Sequence, residues 1–332
     1  MTAMVRSGLR ATQRSVRQAL KPLPVKKQAK PAKLKPPLVR PAPVAGEGDW
    51  IAGVALGVGS ARRYGLFRPA GVEAGESLPL LVMLHGCGQD AKGFAASTRM
   101  NRVAARERFM VLYPEQDRLA NAQGCWNWFD TSGGRALKEA ALIQRAIDQV
   151  GLLHAADLER VAIAGLSAGA SMAALVVSRH PERFKAVAMH SGVAPGTAHS
   201  ALSALGAMQG RRGTRALAAT PALNMASWPP LLVIHGSADR VVAARNAQAA
   251  AQQWAAAGGA QSGPARNVQR GQRYPMTVAD YKRKGRLVVT RVEVAGLGHA
   301  WSGGASKLPY GDSRGPDASR LVWAFVKKQF RD

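Results

Sequence analysis

Cysteine is nearly missing from this chain. Cys87 and Cys125 are the only two, too few for a disulfide-built scaffold and without metal-ligand spacing. No His/Cys/Asp/Glu cluster of zinc type, no G-x-G-x-x-G and no P-loop occurs, so no metal and no cofactor is expected. No stretch approaches the ~20 continuous apolar residues of a membrane span, and no internal repeat is present. Acidic residues are scarce: 20 Asp and Glu stand against 46 Lys and Arg, a net charge of +26. Residues 1–45 hold none of the acidic residues and eleven of the basic ones, which leaves +15 on the other 287. A basic arm on a moderately basic body points to anionic surfaces or polymers as partners. What is present, 332 residues with 47% apolar content, suffices for one large α/β domain and an added segment.

In the arm, Arg6, Arg10, Arg14, Arg17 and Lys21 share one helical face, and Val5, Leu9, Thr12, Val16 and Leu20 share another. This is a basic amphipathic pattern over residues 3–21. It reads equally as a solvated extension or as a surface-binding helix, and it lacks the apolar h-region of a secretory signal. Residues 21–45 are rich in Lys, Pro and Ala and read as an extended, disordered linker. The folded domain is expected over 50–332.

From Trp50 onward strands and helices alternate. Residues 50–58 and 61–68 read as two edge strands, and Leu80–Leu84 as a fully apolar one. A helix is expected over Phe94–Arg108, a strand over Met110–Tyr113 and a helix over Leu137–Val150. Further strands are expected at Val187–Met189, Leu231–Ile234 and Arg286–Val294, with helices over Val242–Ala257 and Asp317–Phe330. Residues 195–228 lack clear periodicity and suit a lid or cap insertion. The alternation implies a mostly parallel sheet covered on both faces.

The most informative stretch is Arg160–Ala174. Val161–Ala164 is of strand type, the Ala-rich run from Ala168 is of helix type, and Gly165-Leu166-Ser167-Ala168-Gly169 joins them. A G-x-S-x-G at a strand-to-helix turn holds its serine on a strained backbone, hydroxyl outward, with small neighbours that let the two elements approach. The helix N-terminus behind it offers free N–H groups. Ser167 is therefore the expected nucleophile rather than an ordinary N-cap.

Such a serine needs a base, an orienting carboxylate and an oxyanion hole. In the order Ser, acid, His, each at a strand's C-terminal end, Asp239 follows the apolar run Leu231–Ile234 and His299 follows Arg286–Val294. His85, His190 and His235 also sit at strand ends and are expected to be structural. The Ala168 N–H and the Cys87 N–H, the latter in His85-Gly86-Cys87-Gly88, are the expected oxyanion donors. Trp126, Trp128, Phe129 and Trp301 fall in loops on the same face, where they either line an acyl or polymer groove or pack beneath the loops. Cys87 and Cys125 fall in loops at that same edge, within reach of a disulfide; in a reducing cytosol they stay free thiols.

Taken together, His85-Gly86-Cys87-x-Gln89, Cys125-Trp126-x-Trp128-Phe129, Gly165-Leu166-Ser167-Ala168-Gly169-Ala170, His235-Gly236-x-x-Asp239, His299-Ala300-Trp301-Ser302-Gly303-Gly304 and Gly315-Pro316-Asp317-Ala318-Ser319 resemble the esterase/poly(3-hydroxybutyrate) depolymerase family. More narrowly, residues 50–330 resemble the type 1 catalytic domain of short-chain-length polyhydroxyalkanoate depolymerases. The resemblance implies an α/β-hydrolase fold, no cofactor, and hydrolysis of 3-hydroxyalkanoate esters by a triad on Ser167, Asp239 and His299. Feruloyl and acetylxylan esterases share the broader family, so a carboxylesterase of that type or of small esters is the alternative. A granule- or nucleic-acid-binding protein with a vestigial hydrolase body is the alternative from another class. Relatives secreted from the cell carry a signal peptide and a polymer-binding domain. The basic arm looks more like that of granule-associated intracellular members, so a cytoplasmic, granule-associated location is expected, with an extracellular or periplasmic one as the alternative.

Overall fold

The central strands are buried on both faces, which only a sheet sandwiched between helices provides. The computed structural model describes residues 47–57, 59–217 and 228–330. The arm over 1–45, with its expected helix over 3–21, lies outside them. Eleven strands form one sheet: β1 (Gly48–Gly57), β2 (Ser60–Pro69), β3 (Leu78–Leu84), β4 (Met110–Pro114), β5 (Ala156–Leu166), β6 (Ala186–His190), β7 (Leu231–Gly236), β8 (Gln261–Ser262), β9 (Arg266–Val268), β10 (Met276–Arg283) and β11 (Arg286–Val294). Their order is β1-β2-β4-β3-β5-β6-β7-β11-β10-β8, with β9 also on β10. The six strands from β4 to β11 run parallel; β1, β2, β8, β9 and β10 are antiparallel additions.

Side-chain alternation divides the core in two. Leu80, Val82, Ile163, Val187 and Val233 face one side, against α3 (Arg135–His154), α4 (Ala168–Arg179) and α6 (Arg245–Ala257). Leu81, Met83, Ala162, Ala188 and Ile234 face the other, against α1 (Ala91–Thr98), α2 (Met100–Glu107) and α7 (Ala318–Gln329). Among the described residues the remaining α-helix, α5 (Ala201–Met208), lies in the expected insertion and starts at a capping box of Ser200 and Ser203. Residues 218–227 of that insertion are outside the described ones.

Two expectations need correction, and one element was not foreseen. The second strand is not an edge strand, since β2 lies between β1 and β4. The helix expected over Phe94–Arg108 is two helices broken at Arg99, whose φ is 57°. Ala305 N–H and Ser319 Oγ claim the carbonyls of Ser97 and Thr98 (2.8 and 2.7 Å), in place of the next helical turn. The sequence reading assigns nothing to the stretch 258–285, where β10 pairs along β11. Its signal was the pair Lys284-Gly285, both at positive φ (47° and 81°), as a two-residue hairpin turn requires.

Candidate active site

Ser167 directly follows β5 and takes φ 57° and ψ −119°, a conformation a non-glycine residue adopts only under strain. The sequence permits it because the neighbours are small. A Cβ on Gly165 would overlap the Gly169 carbonyl, and one on Gly169 would overlap the Leu84 carbonyl of β3. The turn is tied down from β6: Ser167 N–H donates to His190 O (2.9 Å), and Ser171 Oγ accepts from Val193 N–H (2.9 Å).

Asp239 lies three residues past β7 and is buried; His299 lies five past β11, with its side chain 8% exposed. His299 Nδ1 is 2.8 Å from Asp239 Oδ2, and Val241 N–H and Val242 N–H both donate to Oδ1 at 2.9 Å. Burial disfavours ionising Asp239, but hydrogen bonds from His235 and His299 outweigh it and hold the carboxyl well below the usual carboxylate range. Sheet order puts Ser167, Asp239 and His299 at the C-terminal ends of β5, β7 and β11, with the end of β6 between the first two.

The loop after β3 is the fourth part. Gly86 N–H donates to Gln89 Oε1 (3.0 Å), Gly88 N–H to Gln123 O (2.9 Å) and Gln89 N–H to Gly86 O (3.3 Å). Cys87 N–H has no acceptor among the described residues, nor does Ala168 N–H at the start of α4. Cys87 and Cys125 form a disulfide, their Cα atoms 4.2 Å apart. The bridge and the Gly88–Gln123 bond join this loop to the segment bearing Cys125.

Beneath both loops lies a buried polar network. Glu139 accepts from Asn127 N–H (2.9 Å), Asn127 Nδ2 (2.7 Å) and Gln116 Nε2 (2.6 Å). Buried Arg62 donates to Gln116 Oε1 and lies over the Trp126 ring, 5.2 Å from its centroid. Gln116 N–H donates to His85 Nε2 (3.0 Å), which leaves His85 Nδ1–H for Gly86 O (2.8 Å). His190 is arranged similarly: Ser302 N–H donates to its Nε2 (3.1 Å) and its ring stacks on Trp301 at 5.1 Å. Burial lowers the pKa of both, that of His190 to about 3.

The aromatic residues differ from one expectation. Trp126 and Trp301 are fully buried, their indole N–H groups satisfied by His85 O (3.0 Å) and Ser319 Oγ (3.1 Å). Neither lines an open groove; both prop up site loops, because an indole that finds a polar partner inside is most stable there. Trp128 is 8% exposed and packs edge-on against Phe129. Sequence reasoning missed Tyr310, 40% exposed, whose ring meets His299 edge-on at 6.2 Å. It lies in no recognisable motif, and only the short pair of strands β12 (Trp301–Ser302) and β13 (Gly311–Asp312) brings it there.

A serine on a strained strand-to-helix turn, at the C-terminal edge of a mostly parallel sheet helix-covered on both sides, defines an α/β-hydrolase. The acetyl xylan esterase from Aspergillus awamori shares this fold, with a TM-score of 0.61 and 20% identity over 76% of this chain and 94% of its own. The chain belongs to the esterase PHB depolymerase family, whose sequence model matches residues 62–271. That match includes Ser167 and Asp239 and ends before His299. Poly(3-hydroxyalkanoate) depolymerase C of Paucimonas lemoignei is 34% identical over 54% of this chain and 44% of its own length. Feruloyl esterase B of Neurospora crassa is 30% identical over 53% of this chain and 63% of its own. The matched region thus spans 44% to 63% of the length of these relatives.

Proposed function

We propose that this chain is a serine carboxylic-ester hydrolase that cleaves short-chain 3-hydroxyalkanoate polyesters such as poly(3-hydroxybutyrate). The observation that carries the chemistry is the 2.8 Å Asp239–His299 bond at the sheet edge where Ser167 sits. His299 Nε2 takes the hydroxyl proton as Ser167 Oγ bonds to the ester carbonyl carbon. Asp239 fixes the tautomer that leaves Nε2 free and stabilises the imidazolium. The unpaired N–H groups of Cys87 and Ala168 receive the oxyanion. The tetrahedral species collapses as His299 protonates the departing alcohol oxygen. Water, deprotonated by the same imidazole, then cleaves the acyl-enzyme and releases the acid.

The polyester reading is supported by the depolymerase relative, and a feruloyl- or acetyl-ester reading by the esterase relatives. Purified protein assayed on amorphous poly(3-hydroxybutyrate), p-nitrophenyl butyrate and methyl ferulate separates them. Release of 3-hydroxybutyrate is expected; ferulate release with an intact polymer would refute the polyester reading, and no turnover of any ester would favour a vestigial body that only binds. The basic arm over 1–45 is proposed to hold the enzyme on an anionic granule surface, and residues 195–228 to cap the site.

A further inference from the structure

His235, in β7, is buried without exposure. Its Nε2 lies 2.9 Å from Val242 O and 3.3 Å from Asp239 Oδ2, the same oxygen that His299 Nδ1 meets at 2.8 Å. A carbonyl and an ionised carboxylate only accept, so this network assigns a hydrogen to His235 Nε2, shared between them. His235 Nδ1 is buried with no partner. A histidine serving the fold alone would gain by satisfying both nitrogens. Here one is left bare while the other is held on the carboxylate that faces His299.

We propose that His235 is a positioning residue for the ester hydrolysis: its Nε2–H fixes Asp239 Oδ2 in line with His299 Nδ1. The proposal rests on the Ser167–Asp239–His299 reading above. Val241 and Val242 N–H anchor only Oδ1, so without His235 the direction of Oδ2 depends on His299, the ring it has to orient. The donated hydrogen bond also draws charge off Oδ2, which moderates the carboxylate's pull on the His299 imidazolium. The titratable groups gathered around are Asp239, His299 and, from the end of β6, His190, which feels the charges of His235, His299 and Asp239.

The test is kinetic, on the full chain with p-nitrophenyl butyrate, with kcat normalised to serine titrated by a fluorophosphonate. His235→Leu is expected to lower kcat about 10- to 100-fold, the worth of one hydrogen bond to a charged group, with KM within about twofold. The acid limb of its pH profile is expected to move to higher pH, because a less shared carboxylate favours the protonated base. His235→Gln, whose amide N–H reaches roughly where Nε2 lies, is expected to recover most of the rate and the wild-type limb. In an Asp239→Ala background the Leu change is expected to alter kcat less than about twofold. Wild-type kcat and pH profile in His235→Leu, or an undiminished loss in the Asp239→Ala background, would overturn the proposal. Near-wild-type activity in Asp239→Ala or Ser167→Ala would instead sink the triad reading beneath it. Nitrogen-15 histidine spectra of the wild type give an answer even where a variant does not fold. They should show His235 protonated at Nε2 and bare at Nδ1, and a hydrogen on Nδ1 alone would rule the proposal out.

Discussion

Replacing Asp239 by Asn removes one oxygen and changes little else in size. In the native site four N–H donors converge on two carboxylate oxygens: Val241 and Val242 on Oδ1, His299 and His235 on Oδ2. An asparagine accepts through one oxygen only. Turned toward Val241 and Val242, its NH2 strands two backbone N–H groups; turned toward the histidines, it is met by His299 in the tautomer bare at Nδ1, while His235 keeps Val242 O. A buried donor left unpaired costs about 1–3 kcal/mol, so the amide takes the second orientation, and the unfolding free energy should fall by roughly 1.5–3 kcal/mol, the worth of a hydrogen bond to a charged group. The turnover number should fall on the order of 10⁴-fold, since His299 loses the acceptor that fixes its tautomer. The substitution also removes a pH dependence. The native carboxyl titrates below its unfolded value, so its contribution is present above about pH 4 and is lost as the pH falls through the native value. The Asn variant should therefore lose less stability under acid than the wild type. Urea denaturation at pH 7 and at pH 3, with ester hydrolysis at pH 7, measures all three effects. A midpoint equal to wild type at pH 7, or kcat within tenfold, would refute the donor geometry described for this site.

Ser167→Gly should abolish hydrolysis yet raise stability by about 1 kcal/mol, because glycine takes the φ 57° turn without strain; a lower melting temperature would contradict this. Breaking the Cys87–Cys125 bridge, which closes a 38-residue separation, should cost about 4 kcal/mol on the loop-entropy model, and activity should fall with it as the Cys87 loop is released; full activity in dithiothreitol would show that the bridge does not organise the site. His85 and His190 have lowered native pKa values, so their contribution is present above about pH 6.5 and is lost as the pH falls, at about 1.4 kcal/mol per pH unit for each; equal stability at pH 7 and pH 5 would argue against both being buried neutral. Removing residues 1–45 should leave p-nitrophenyl butyrate hydrolysis unchanged and weaken adsorption to anionic-coated polyester as added salt does; equal adsorption by both forms at low salt would exclude a surface role for the arm.

The amino-acid sequence carried the alternation of strands and helices, because runs such as Leu78–Leu84 are apolar throughout and fit only a strand buried on both faces. It also determined the glycine-flanked turn at Ser167, since no larger residue fits where Gly165 and Gly169 meet each other and β3. The positions of Asp239 and His299 could be read too, because chain order and strand ends are linear properties. Sheet order was not linear: only the fold placed β2 between β1 and β4 and added β10 beside β11. Nor did the sequence separate a tryptophan that lines a groove from one that props it up. Trp126 and Trp301 are buried because distant partners, His85 O and Ser319 Oγ, satisfy their indoles. His235 and Asp239 are four apart in the chain, but that spacing does not say that a buried Nε2–H and His299 share one oxygen. That sharing is a matter of distance and direction among atoms from β7 and the loop after β11, which packing alone decides.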